Sequence, residues 1–245
     1  MPKLRCLIVI ESLWSLIGLL LIGPIALAAE VATPWEQAYE GAETTGPQVI
    51  GLWKFDAAEG KDSTGRLPVG ILRNGKLVAE GRFGGALESF AGFPEKDQPH
   101  GFVVPNNPRL SPSGAFTIEL WVKPKEDFAK RDWAVVIDKK YAGHDDYQLS
   151  FGPADPKGQK RLTLSLGFGG ESQNFLSEYG DFPTGEWVHI AATYDGRGRV
   201  RFFRNGESFG GADVPGRGAI SAGELSIGDR RSARQQLPRI SGLRG

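Results

Sequence analysis

Hydrophobic residues recur in this chain mostly with a period of two. In Ala115–Lys123 (AFTIELWVK), Phe116, Ile118, Leu120 and Val122 fall on one side, and Thr117, Glu119 and Trp121 on the other. Successive side chains of a strand point to opposite faces, so this run predicts a half-buried strand with its aliphatic side toward a core. Trp133–Lys139 (WAVVIDK), Tyr147–Phe151 (YQLSF) and Arg161–Phe168 (RLTLSLGF) predict further strands, the last with Leu162, Leu164, Leu166 and Phe168 on one face. Trp187, His189, Ala191 and Thr193 alternate with Val188, Ile190, Ala192 and Tyr194. An alternating Gly51–Asp56 (GLWKFD) opens the domain, and Glu224–Gly228 predicts a short late strand.

Between the strands stand turn formers. Asp195-Gly196 and Asn205-Gly206 tolerate the positive φ of tight hairpins, so Gly185–Glu207 predicts antiparallel strands joined in sequence. With 34 glycines and 16 prolines in 245 residues, turns dominate and little room is left for helices. The chain has no internal repeat, no heptad and no second domain signature. Residues 29–48 lack a sustained period and predict a linker or N-terminal arm before a single domain over 49–245. The expected class is all-β, an antiparallel two-sheet sandwich.

The segment GEWVHIAATYDGRGRVRFFRNGE resembles the W-x-H-x-A-x-T-Y-D-G and F-x-N-G-E pattern of laminin-G-like domains, members of the concanavalin A-like lectin/glucanase superfamily. The resemblance extends to Gly51–Asp56, to Asp62-Ser63-Thr64-Gly65, to Gly81–Leu87 (GRFGGAL) and to Phe116–Val122 (FTIELWV). It implies a jelly roll, and a function in binding sugars, calcium or other proteins more than in catalysis. Such domains end in a strand of the form G-x-I-D-E-V-R-I. Here the chain stops at Ile240–Gly245 (ISGLRG), so the last strand is expected to be truncated or diverged, and the chain to be a possible piece of a longer one. An unfilled sheet position of that kind would expose unpaired backbone groups.

The N-terminus changes where the protein is expected to act. Lys3 and Arg5 precede an apolar run, Leu13–Ile25, and Ala26-Leu27-Ala28 supplies small residues for cleavage near Ala28. Residues 1–28 therefore predict a signal peptide, with a secreted, periplasmic or cell-surface product and no membrane span after its removal. The single cysteine, Cys6, would leave with it, so the mature domain is expected to stand without disulfides. Lys and Arg total 29, as do Asp and Glu, which argues against a general nucleic-acid partner. The charges are unevenly spread, however. Ten arginines lie between Gly196 and the C-terminus, whereas Glu30–Glu43 holds four glutamates and no basic residue.

Two enzyme-like patterns fail on context. Gly206–Gly210 (GESFG) matches a nucleophile elbow, but lies in a predicted hairpin rather than at a strand-to-helix turn. Gly70–Lys76 (GILRNGK) resembles a phosphate loop, yet Leu77 follows where Ser or Thr should hold magnesium. Glycoside hydrolysis needs two carboxylates about 5 Å apart when it retains configuration, and the chain contains no E-x-D-x-E run to supply them.

For metal, Asp145 and Asp146 sit in an inter-strand loop and, with Glu95 and Asp97, form the candidate oxygen set for Ca2+, which takes six to eight oxygens. For carbohydrate, Trp121 faces away from its strand's aliphatic side and offers a stacking platform, with Glu119 and Tyr147 as polar contacts. The leading expectation is a non-catalytic module that binds a glycan or glycosylated surface partner, with calcium as a possible aid. One alternative is an adhesion or assembly module that meets a polyanion or protein through Arg197, Arg199, Arg201 and Arg204. The other is a divergent glycoside hydrolase.

Overall fold

Two four-stranded antiparallel sheets face each other across one apolar core. A computed structural model describes residues 46–56, 60–73, 75–89, 101–126, 128–130, 132–140 and 142–228, all within one unit, Gln37–Gly245. The expected signal peptide, most of the expected arm, Glu95, Asp97 and the expected final strand lie outside the described residues.

Four short strands come first: β1 (Ile71–Arg73), β2 (Lys76–Val78), β3 (Ala86–Glu88) and β4 (Gly101–Val103). They form two small ladders, β1 with β4 and β2 with β3. The first large sheet runs in the order β12 (Glu207–Asp213), β11 (Arg199–Arg204), β10 (Val188–Tyr194), β5 (Phe116–Val122). The second runs β6 (Ala134–Asp138), β7 (Tyr147–Phe151), β8 (Leu162–Gly167), β9 (Ser172–Leu176). Among the described residues no helix is long and apolar enough to cross a membrane.

The period-two pattern decides the core. Ile190, Val200 and Phe202 from the first sheet meet Leu149, Leu162, Leu164, Leu166 and Phe175 from the second, all at 0% exposure. Phe116, Ile118, Leu120 and Val122 pack against this cluster from β5, as the alternation requires. The β11–β12 hairpin turns through Asn205 at φ 49° and Gly206 at φ 75°, the two positive values of a type I′ turn.

Two expected strands take another form. Gly51–Asp56 is not a strand: Phe55 has φ 59°, which breaks the extended run and sets its ring 5.2 Å edge-on to Phe102. Glu224–Gly228 reduces to one bridge, Ile227 with Val104. Both segments serve a second, smaller core of Leu67, Val104 and Leu110, joined by Trp53, Phe102 and Ile227. Gly70 is needed there, since a Cβ would fall 2.0 Å from the Phe102 ring. Asp62 anchors the same region by accepting from the backbone N–H groups of Leu52, Thr64, Arg66 and Leu67 and from the Thr64 hydroxyl. Burial pushes the Asp62 carboxyl upward, but those donors outweigh it and hold it below its ordinary value.

Candidate functional site

The outer face of the first sheet carries two of the three residues expected to bind sugar. Pairing of β5 with β10 sets Glu119 beside Ala191 and Trp121 beside His189. Trp121 does face away from the core, but the β2–β3 loop folds over it. Phe83 meets its ring edge-on at 5.6 Å, and the Arg82 guanidinium lies 4.9 Å above it. On the sheet itself, the His189 ring tilts against Trp121 at 5.5 Å and is 3% exposed. Glu119 remains exposed, with Oε2 3.6 Å from His189 Nε2, an ion pair whenever the histidine is protonated.

Tyr147 does not join them. It belongs to the opposite sheet, is buried in the core and packs 5.6 Å from Phe116. Burial, aided by the Asp146 charge, pushes its phenol far up, so it stays protonated. The expectation of a polar contact beside Trp121 is corrected: Tyr147 opens its strand on the inward side.

The acidic turn is also put to another use. Asp146 is fully buried, and its Oδ2 accepts from Lys139 Nζ at 2.7 Å and from the Gly223 N–H at 2.9 Å. Both side chains of this ion pair are 0% exposed. Asp145 is only partly buried, and its charge, together with that of Asp138, acts on the ammonium of Lys140, which burial pushes down. Calcium needs at least six oxygens around it. At Asp146 the Lys139 ammonium already stands where a cation would, so Asp146 itself does not fit the metal. Among the described residues no three His, Cys, Asp or Glu side chains gather as ligands, and Glu95 and Asp97 fall outside that set.

The four arginines of the polyanion alternative do not form one patch. Asp213 takes both Arg199, at 3.5 Å, and Arg201, at 2.6 Å. The Arg201 hydrogen bond lowers the Asp213 carboxyl, and the same bond raises the guanidinium. Arg204 donates to the Asp181 carbonyl and lies 4.9 Å over the Phe209 ring. Arg197 sits in the β10–β11 turn, where its N–H donates to Asp195. An open depression of about 460 Å³ follows the irregularity between β11 and β12, lined by Arg201, Ser208, Gly210, Gly211, Ala212 and Asp213.

A different face was not singled out from the sequence. On the outside of the second sheet, register sets Val135, Ser150, Thr163 and Leu176 in one row and Asp138, Gln148, Ser165 and Asn174 in the next. Ser150 and Thr163 are each 3% exposed and Asp138 7%, so toward solvent this face offers mainly Gln148, Ser165 and Asn174 rather than long charged chains. Aromatic residues stand at one end. Trp133 directly precedes β6, 51% exposed, with φ 60°. A bulky residue in the left-handed region is strained, and such strain gathers at binding sites. Because Ala134 pairs with Phe151, Trp133 enters the sheet beside Gly152, the residue that bonds to Arg161. Beyond β9, Tyr179 is 40% exposed and carries the Arg161 guanidinium 4.9 Å over its ring. The polar half of the YQLSF and RLTLSLGF alternations signals this face. Nothing local signals that Trp133 and Tyr179, 46 residues apart in the numbering, would share one end of it.

Comparison with known proteins agrees with this architecture. A family profile described as the concanavalin A-like lectin/glucanases superfamily, laminin G type, matches residues 97–242. The chain belongs to this superfamily. No curated protein shows significant similarity to it. Domain 4 of AbnA, a GH43 extracellular arabinanase from Geobacillus stearothermophilus solved with arabinotriose, superposes with a TM-score of 0.50 at 22% identity, covering 73% of this chain and 81% of that one. The botulinum neurotoxin serotype G binding domain gives 0.53 at 15% identity, over 69% of this chain and 40% of its own. The binding domain of Paraclostridial Mosquitocidal Protein 1 gives 0.51 at 15%, over 72% and 42%. The superfamily chain thus spans about two fifths of those two toxin domains, and at these identities the likeness is one of fold.

Proposed function

We propose that this chain is an exported, non-catalytic carbohydrate-binding module that takes a glycan on the outer face of its second sheet. The observation that carries this reading is the pair of exposed aromatics, Trp133 and Tyr179, at one end of a face whose accessible polar groups are Gln148, Ser165 and Asn174. Sugar rings present an apolar side to aromatic faces and hydroxyls to amide and hydroxyl groups, and this face offers both. The stacking platform is thereby moved from Trp121, which Arg82 and Phe83 cap, to Trp133 and Tyr179. Absence of catalysis is supported by charge: of the strand residues that register places on this face, Asp138 alone is a carboxylate, and it is 7% exposed. Hydrolysis needs two. Export is supported by the apolar Leu13–Ile25 run and its small-residue ending. The polyanion alternative loses support because Asp213 already pairs with Arg199 and Arg201.

The test is isothermal titration of the full chain against a panel of soluble glycans. Trp133→Ala and Tyr179→Ala should each weaken binding at least about tenfold, equivalent to about 1.4 kcal/mol. No binding across the panel, or variants that bind as the parent does, would overturn the reading.

A further inference from the structure

Five of the described arginines are held by oxygen acceptors. Arg66 is spent on the Gly46 and Val49 carbonyls, Arg199 and Arg201 on Asp213, Arg204 on the Asp181 carbonyl and Arg217 on Glu171. The Arg161 guanidinium instead rests on Tyr179, with no hydrogen bond or ion pair to a described residue.

Nearby carboxylates are turned elsewhere. Asp155 accepts from the backbone of Lys157 and Gln159, and Asp181 lies toward Gln159 Nε2. Glu178 runs along β12, where a Cβ on Gly210 would fall 2.9 Å from its Cγ. Asp132 acts on Lys160. That lysine is itself buried and donates to the Gly152 carbonyl at 3.4 Å, which sets a second positive charge beneath the same end of the sheet.

Gly152 leaves a notch at this point. A side-chain carbon placed on it would sit 3.7 Å from Thr163 Oγ1 and 3.9 Å from Arg161 Cγ. Thr163 is 3% exposed, and its hydroxyl has no hydrogen-bond partner among the described residues. Notch, unpartnered hydroxyl and arginine stem therefore share one floor, beside Trp133 and Tyr179. A planar guanidinium placed over a ring presents paired N–H groups suited to a two-oxygen anion.

We infer that the glycan bound on this face carries a carboxylate, as a uronic acid does, and that Arg161 recognises it. The inference rests on the carbohydrate reading of this face and adds the chemical class of its ligand. The full chain is titrated with polygalacturonate, alginate and glucuronoxylan, each against its methyl ester, and with dextran sulfate. At least one acid form should bind tenfold or more tightly than its ester. Arg161→Met should abolish that preference while retaining ester binding, and Arg161→Lys should retain part of it. Unfolding midpoints check that each variant is folded. Equal binding of acid and ester, or an unchanged preference in Arg161→Met, overturns the inference but leaves the carbohydrate reading intact. Preference for dextran sulfate with indifference to carboxylates also overturns it. No binding to any glycan, neutral ones included, overturns both.

Discussion

Trp121 and Trp133 exchange the roles that their sequence positions suggest. Trp121 lies on the solvent side of a strand and looks like a platform, yet Arg82 and Phe83 cover it and His189 packs beside it. Trp133 begins an apolar run and looks like a strand residue, yet it stands 51% exposed in a strained backbone conformation. Alternation assigns a side chain to a face of its sheet; it does not say what crosses that face. On the first sheet a loop from earlier in the chain comes over. On the second, register leaves a polar surface flanked by aromatics.

The comparison breaks first at the anchor of the second sheet. Lys139→Met leaves the buried Asp146 carboxylate without its partner and should cost about 3–5 kcal/mol in urea unfolding. Adding Asp146→Leu should recover most of that loss, because a buried ion pair replaced by packed apolar groups is nearly neutral. If Trp121 is framework, Trp121→Ala should cost about 2–3 kcal/mol, whereas Trp133→Ala changes stability far less while weakening glycan binding. Equal costs at the two positions would erase the distinction. The smallest effect sharpens it: Trp133→Gly should be more stable than Trp133→Ala by about 1 kcal/mol, since glycine alone adopts φ 60° freely. The same unfolding curves measure it.

Much of the fold was legible. Tyr147–Phe151 is the strand that the alternation predicts, and Phe116–Val122 lies within the predicted Ala115–Lys123. Asn205-Gly206 turns as its residue types require. The site was legible only in part. Glu119 and Trp121 share a face as expected, but Tyr147 points into the core, because its strand presents the odd-numbered residues inward. Asp146 reads as a free loop acid in one dimension. In three, it closes on Lys139 from β6 and on Gly223 from 77 residues later.

The period of two and the turn dipeptides determined by themselves that this chain forms an all-β sandwich, and the laminin-G-like blocks determined its superfamily. Those signals act between neighbours in the chain, through strand geometry and turn stereochemistry, so no tertiary contact is needed to read them. Tertiary structure alone decided which tryptophan is capped, which acid is paired and which ring Arg161 rests on. Each depends on a contact between distant segments: Arg82 on Trp121, Lys139 on Asp146, Arg161 on Tyr179. Such contacts follow from how the two sheets and their loops close on each other, which no local period records.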